Sequence, residues 1–178
     1  MGAFANCPSL EKIIIPDSVL SIGNNAFSEC TSLKQVSIGA NVETIGRTAF
    51  SECTSLTSIN IPNSVKTIEK KAFNKCTTLK EVTFGKGIET IGESAFEECD
   101  SLTTIKLPEG LKELGSYAFA FCDNVKEIYI PKSLETISNT SIAQTHNIKV
   151  YIVKGSYMDT KFKELMGVGN GYFEKIYY

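Results

Sequence analysis

The sequence predicts a solenoid of stacked, near-identical turns, and three observations carry that reading. Six cysteines, Cys7, Cys30, Cys53, Cys76, Cys99 and Cys122, stand 23 residues apart without an insertion. The same pair precedes each of them: Ala3-Phe4, Ala26-Phe27, Ala49-Phe50, Ala72-Phe73, Ala95-Phe96 and Ala118-Phe119. Apolar residues also recur at fixed distances after each cysteine. A period this strict marks one supersecondary unit stacked on copies of itself.

Each turn is read forward from its cysteine. Position 3 is Leu10, Leu33, Leu56, Leu79, Leu102 and Val125. Position 6 is Ile13, Val36, Ile59, Val82, Ile105 and Ile128, and position 8 is Ile15, Ile38, Ile61, Phe84, Leu107 and Ile130. Positions 6 and 8 share the period of a strand, so both face one side. Position 9 holds Pro16, Gly39, Pro62, Gly85, Pro108 or Pro131. Proline lacks an N–H and glycine is conformationally free, so each is expected to end strand pairing.

A second extended segment follows at positions 12 and 15, from Val19/Ile22 to Leu134/Ile137. Gly23, Gly46, Gly92 and Gly115 then mark a turn, with Glu69 and Ser138 in their place elsewhere. The Ala, Phe and Cys that come next have the spacing of a short helical turn facing the core.

The seventh turn departs from the pattern. Ser141-Ile142 replace Ala-Phe and Thr145 replaces Cys. The 23-residue phase puts Tyr151 and Val153 at the inward strand positions and Val150 and Ile152 outward. Residues 1–153 therefore read as about six and a half turns of solenoid, truncated at the N-terminus. Residues 154–178 read as a C-terminal cap on the last repeat. Within it Asp159 to Met166 predicts a helix, Gly167, Gly169 and Gly171 break it, and Tyr172 to Tyr178 predict a closing strand. A repeat array needs such an end, because its last turn would otherwise expose apolar surface and an open strand edge.

The string from Leu33 to Ile45, continued through Ala49-Phe50 to Cys53, resembles the leucine-rich repeat in its BspA-like bacterial subtype. Leu56, Ile59 and Ile61 meet the generic pattern. Where that pattern has Asn, position 11 here carries Ser18, Asn41, Ser64, Gly87, Gly110 and Ser133. Serine is expected to replace part of the turn hydrogen bonding. The resemblance implies a leucine-rich-repeat solenoid, a right-handed β/α superhelix, that is secreted or displayed on a bacterial cell surface. It implies a non-enzymatic protein-binding or adhesion module whose partner is a host or extracellular-matrix protein, or another bacterial surface protein. The second reading is a structural spacer or stalk with no ligand of its own.

Composition removes several classes. A net charge of −2 with mixed signs offers no basic patch for nucleic acid. No apolar stretch approaches the roughly 18 residues of a membrane span. The one histidine, His146, has no partner at any motif spacing, and Gly167 to Gly171 do not form a phosphate-loop pattern. No catalytic residue, cofactor or metal ligand is assigned. The cysteines share one structural phase, so they are expected to form a row of free, buried thiols. A monomer is expected.

What remains is the surface. Positions 5 and 7 flank the inward position 6, so they point outward from the main strand. The candidate binding face is therefore Lys12, Gln35, Ser37, Ser58, Asn60, Glu81, Thr83, Thr104, Lys106, Glu127 and Tyr129. Position 13, with Glu43, Lys66, Glu89, Lys112 and Glu135, predicts a ladder of alternating charge.

Overall fold

The computed structural model describes residues 2–143, 145, 147–166 and 173–178. Its first strands are β1 (Lys12–Ile14), β2 (Ser21–Ile22), β3 (Gln35–Ser37), β4 (Thr44–Ile45), β5 (Ser58–Asn60) and β6 (Thr67–Ile68). They are followed by β7 (Glu81–Thr83), β8 (Thr90–Ile91), β9 (Thr104–Lys106), β10 (Glu113–Leu114), β11 (Glu127–Ile130) and β12 (Thr136–Ile137). The chain closes with β13 (Ile148–Ile152), the helix α1 (Tyr157–Met166) and β14 (Phe173–Tyr177). Every strand pairing is parallel and joins neighbouring turns, as a solenoid requires. The two-residue strands β2 to β12 form one six-stranded sheet.

Between the two rows of strands lies a core built of ladders. Phe27, Phe50, Phe73, Phe96 and Phe119 stack near-parallel, with centroid spacings of 5.2, 5.2, 5.0 and 5.1 Å. Beside them run the cysteines, all free, and buried from Cys30 onward. Each buried thiol donates to the carbonyl of the phenylalanine one turn back, as Cys76 Sγ does to Phe50 O at 3.2 Å. The expected thiol ladder is thus present, and it also satisfies carbonyls inside the core.

The expected helical turn before each cysteine is not a helix. The residues five and one before the cysteine adopt left-handed backbone: Thr48 and Glu52 have φ of 51° and 61°, and Lys71 and Lys75 have 59° and 60°. The amides between them alternate in direction. Ala49 N donates to Gly46 O in its own turn at 3.1 Å, while Phe50 N donates to Ala72 O in the next at 2.7 Å. A helix would keep every amide within its own turn. Stacking offers a second set of acceptors, and the segment becomes linked tight turns instead.

The main strand row is not continuous. It divides into β1-β3, β5-β7 and β9-β11-β13-β14. The interruptions follow position 9. Ile15, Ile61 and Leu107 precede proline, and each donates its N–H to the next turn at 2.8, 2.9 and 3.1 Å. Ile38 and Phe84 precede glycine, and their turns end at an interruption. Proline holds the residue before it in extended conformation, so that residue's amide stays aligned with the next strand. Proline therefore prolongs pairing by one residue here rather than ending it. The glycines answer a different need. A Cβ on Gly39 or Gly85 would lie 2.5 or 2.4 Å from the carbonyl oxygen of Pro16 or Pro62 in the turn below. A proline turn and the glycine turn above it thus interlock as a couplet.

The last full turn is one residue short. Glu127 pairs with Lys149, Ile128 with Val150 and Ile130 with Ile152, a spacing of 22. Because side chains alternate, that slip reverses the faces. Val150 and Ile152 are buried, not outward as the unbroken phase implies, and Tyr151 turns to the open face.

Beyond β13, the C-terminal segment supplies the predicted helix and strand. The helix begins two residues before Asp159, at Tyr157, because Ser156 caps it: Asp159 N donates to Ser156 Oγ at 3.2 Å. In return Asp159 Oδ2 accepts from Gly155 N at 2.8 Å, a reciprocal arrangement akin to a capping box. Asp159 also binds Lys175 at 2.6 Å and the Tyr177 hydroxyl at 2.8 Å, tying α1 to β14. Met158 and Phe162 are buried on the helix face that meets the core. Gly167 to Gly171 and His146 lie outside the described residues.

Candidate protein-interaction face

The main strands hold two outward rows. Lys12, Gln35, Ser58, Glu81, Thr104 and Glu127 form one, and Ser37, Asn60, Thr83, Lys106 and Tyr129, led by Ile14, form the other. Thr104, Glu127 and Tyr129 are partly buried, and the remainder are exposed. The register carries both rows onto the C-terminal strands, as Lys149/Glu174 and Tyr151/Ile176.

The structure brings only the C-terminal part of the predicted set together. Tyr129 and Tyr151 stack at 4.2 Å between centroids. Glu127 accepts from both hydroxyls, at 3.4 Å from Tyr129 and 3.2 Å from Tyr151. Lys106 Nζ lies 5.8 Å from the Tyr129 ring centre, a cation–π distance. Tyr178 meets Tyr129 edge-on at 5.7 Å, and its hydroxyl donates to Ile130 O. Partial removal from water, and then Glu127, push the Tyr151 phenol up to about 12. Burial first, and then Glu109, raise that of Tyr178. By contrast the side chains of Lys12, Gln35, Ser37, Ser58 and Asn60 are spread along the other end of the face.

Tyr151, Tyr178 and Ile176 are absent from the face as read in sequence. A local signal for Tyr151 was present: Ile148, Val150 and Ile152 alternate as a strand, with Lys149 and Tyr151 between them. The strict period concealed it.

The other ladders are structural. Lys66 meets Glu43 at 3.2 Å and Lys112 meets Glu89 at 2.7 Å, as the alternating charges predict. Ser64 Oγ and Ser133 Oγ each donate to a carbonyl of the previous turn at 2.7 Å, as expected of serine at position 11. Burial holds the thiols of Cys53 and Cys122 at about 12 and those of Cys76 and Cys99 well above the free value. A nucleophile needs thiolate, so these cysteines are poorly suited to attack.

A match to a family of known repeats decides the wider relationship. The model described as BspA type leucine rich repeat region matches in six copies, over residues 1–84 and 43–162. The chain belongs to the BspA-type leucine-rich repeat family. A solved leucine-rich repeat protein from Bacteroides ovatus is similar at 29% identity and a TM-score of 0.69 over 79% of this chain. This chain spans 37% of that protein's length. The leucine-rich repeat protein of T. pallidum is similar at 26% identity and a TM-score of 0.70, covering 94% of this chain and 87% of that one. A leucine rich cell surface protein of Faecalibacterium prausnitzii shares the fold at 22% identity and a TM-score of 0.51, covering 89% of this chain and 64% of that one. None of the curated proteins compared with the chain matches it. No helix among the described residues is long and apolar enough to cross a membrane.

Proposed function

We propose that this BspA-type repeat chain is a protein-binding module of a secreted or surface-displayed bacterial protein, and that it engages its partner through the outward face of the main strands. One observation carries the reading. The inward positions repeat almost without change, whereas the outward rows differ from turn to turn and end in the cluster of Tyr129, Tyr151 and Tyr178. A spacer needs only the ladders. A partly exposed aromatic cluster whose hydroxyls are fixed by hydrogen bonds offers contact area at small entropic cost. Host matrix proteins and other bacterial surface proteins are the partners in view, for adhesion or co-aggregation.

The test is a binding screen of the purified chain against matrix proteins and bacterial surface extracts. It is repeated with a variant carrying Lys106→Ala, Glu127→Ala and Tyr129→Ala. Loss of a specific interaction in a folded variant supports the reading. An interaction that survives the triple change overturns the use of this face, and no interaction at all favours the spacer.

A further inference from the structure

The interruption between β7 and β9 opens a hollow of about 530 Å³ on the outward face, lined among others by Val82, Phe84, Lys80, Thr103 and Lys106. Val82 and Phe84 are only partly buried there, so apolar surface is accessible. A second hollow shares Lys80 and Thr103 with the first and extends it to Lys126. Three lysines line them. Some lysines of the solenoid, Lys34, Lys66, Lys70 and Lys112, meet a carboxylate of a neighbouring turn. Among the described residues Lys80, Lys106 and Lys126 have no such counter-ion. The nearby carboxylate of Glu127 is occupied by two tyrosine hydroxyls.

We propose that these joined hollows receive an extended, acidic polypeptide segment, with a carboxylate between Lys80 and Lys126 and an apolar side chain against Val82 and Phe84. This rests on the outward face being the binding surface. Lys80 and Lys126 occupy the same place two turns apart, one residue before β7 and β11, roughly 10 Å at the backbone. Two flexible lysine stems can close that span on one carboxylate, with the Thr103 hydroxyl between them. An extended chain sets alternate side chains on one side, roughly 6.6 Å apart. One segment can therefore place an acidic residue over the lysines and an apolar one in the hollow. Glu81 also lines the first hollow, and it would repel a uniformly anionic polymer. A polypeptide whose carboxylates are separated by apolar residues suits this mixed lining.

The experiment selects a displayed library of random dodecapeptides on the immobilised chain, then measures the enriched peptides by fluorescence anisotropy. The expected peptides pair Asp or Glu with an apolar residue and weaken as salt rises. They should bind Lys80→Glu/Lys126→Glu at least about tenfold more weakly. The milder Lys80→Gln/Lys126→Gln pair serves if charge reversal disturbs the circular dichroism spectrum. Peptides lost with Tyr129→Ala/Tyr151→Ala but indifferent to the lysine changes would keep the binding face and overturn the acidic segment. Enrichment indifferent to both pairs, or none, would overturn both readings. A heparin fragment that competes as strongly as the best peptide would overturn the assignment to a polypeptide.

Discussion

Tyr129 and Tyr151 stand side by side on the open face, rings 6° from parallel, although one repeat length would set Tyr129 against Ile152. The shortened last turn makes that contact. The slip seats Val150 and Ile152 in the core opposite Ile128 and Ile130. Ile152→Ala should therefore cost about 2–5 kcal/mol in denaturant unfolding, as emptying a core position does. Amide exchange in β13 and β14 should quicken with it. An Ile152→Ala chain with an unchanged unfolding midpoint would contradict the inward face that the slip gives this strand.

The phenylalanine stack predicts a steep cost at its centre. Phe73 is fully buried and contacts rings on both sides, at 5.2 and 5.0 Å. Phe73→Ala should cost about 3–5 kcal/mol, and Phe73→Leu a smaller part of that. Phe4→Ala, at the half-exposed end of the stack, should cost far less. Equal losses at the two positions would contradict a core built by local stacking.

Asp159 gives a dependence on pH. The Gly155 amide, then Lys175 and Tyr177, hold its carboxyl well below the usual range in the folded chain. Its contribution is therefore present above the unfolded value, about pH 4, and is lost as pH falls below that. Thermal unfolding of the native chain and of Asp159→Asn should converge as pH drops from 6 towards about 2. The gap should reopen on return to neutral pH. A gap that stays constant would rule out this carboxylate as the acid-sensitive group.

Thiol titration separates the row from its end. Five cysteines are buried, and Cys7 is partly exposed. Ellman's reagent should modify Cys7 readily in the native chain and all six in denaturant. Fewer than six in denaturant would mean that a bridge forms.

The glycine over proline is a further point of stress. Gly85→Ala would set a methyl 2.4 Å from Pro62 O, which is backbone and cannot swing aside. Expected is a destabilisation of about 1–3 kcal/mol. Gly23→Ala, where a Cβ meets nothing within 4 Å, is the control.

The ladders were legible in the sequence because one phase governs them. Cys, Phe, Ala and the inward strand residues each hold one place in every turn, and stacking does the rest. Two features were not. Ala, Phe and Cys have helical spacing, but the amide of Phe50 finds its acceptor at Ala72, one turn away, and a period within one turn cannot show that. The seams of the strand row depend on how far extension persists before Pro16 or Gly39, a matter of backbone angle that hydrophobic pattern does not report. The candidate face was half legible for the same reason. Lys106, Glu127 and Tyr129 were assigned outward correctly, while Tyr151 was hidden by trust in an unbroken count.

The interlock of Gly39 on Pro16, and of Gly85 on Pro62, has a bearing on how such a chain can be lengthened. Excising the Pro62 turn alone would set Gly85 above another glycine turn, with no proline carbonyl to nest on. Removing that turn together with the one above it leaves Pro108 above the Gly39 turn, the succession already present at Gly85 and Pro108. The natural cassette for duplication, deletion or grafting is thus a pair of turns. Recombination that respects it can change the reach of the array while leaving every joint as it was.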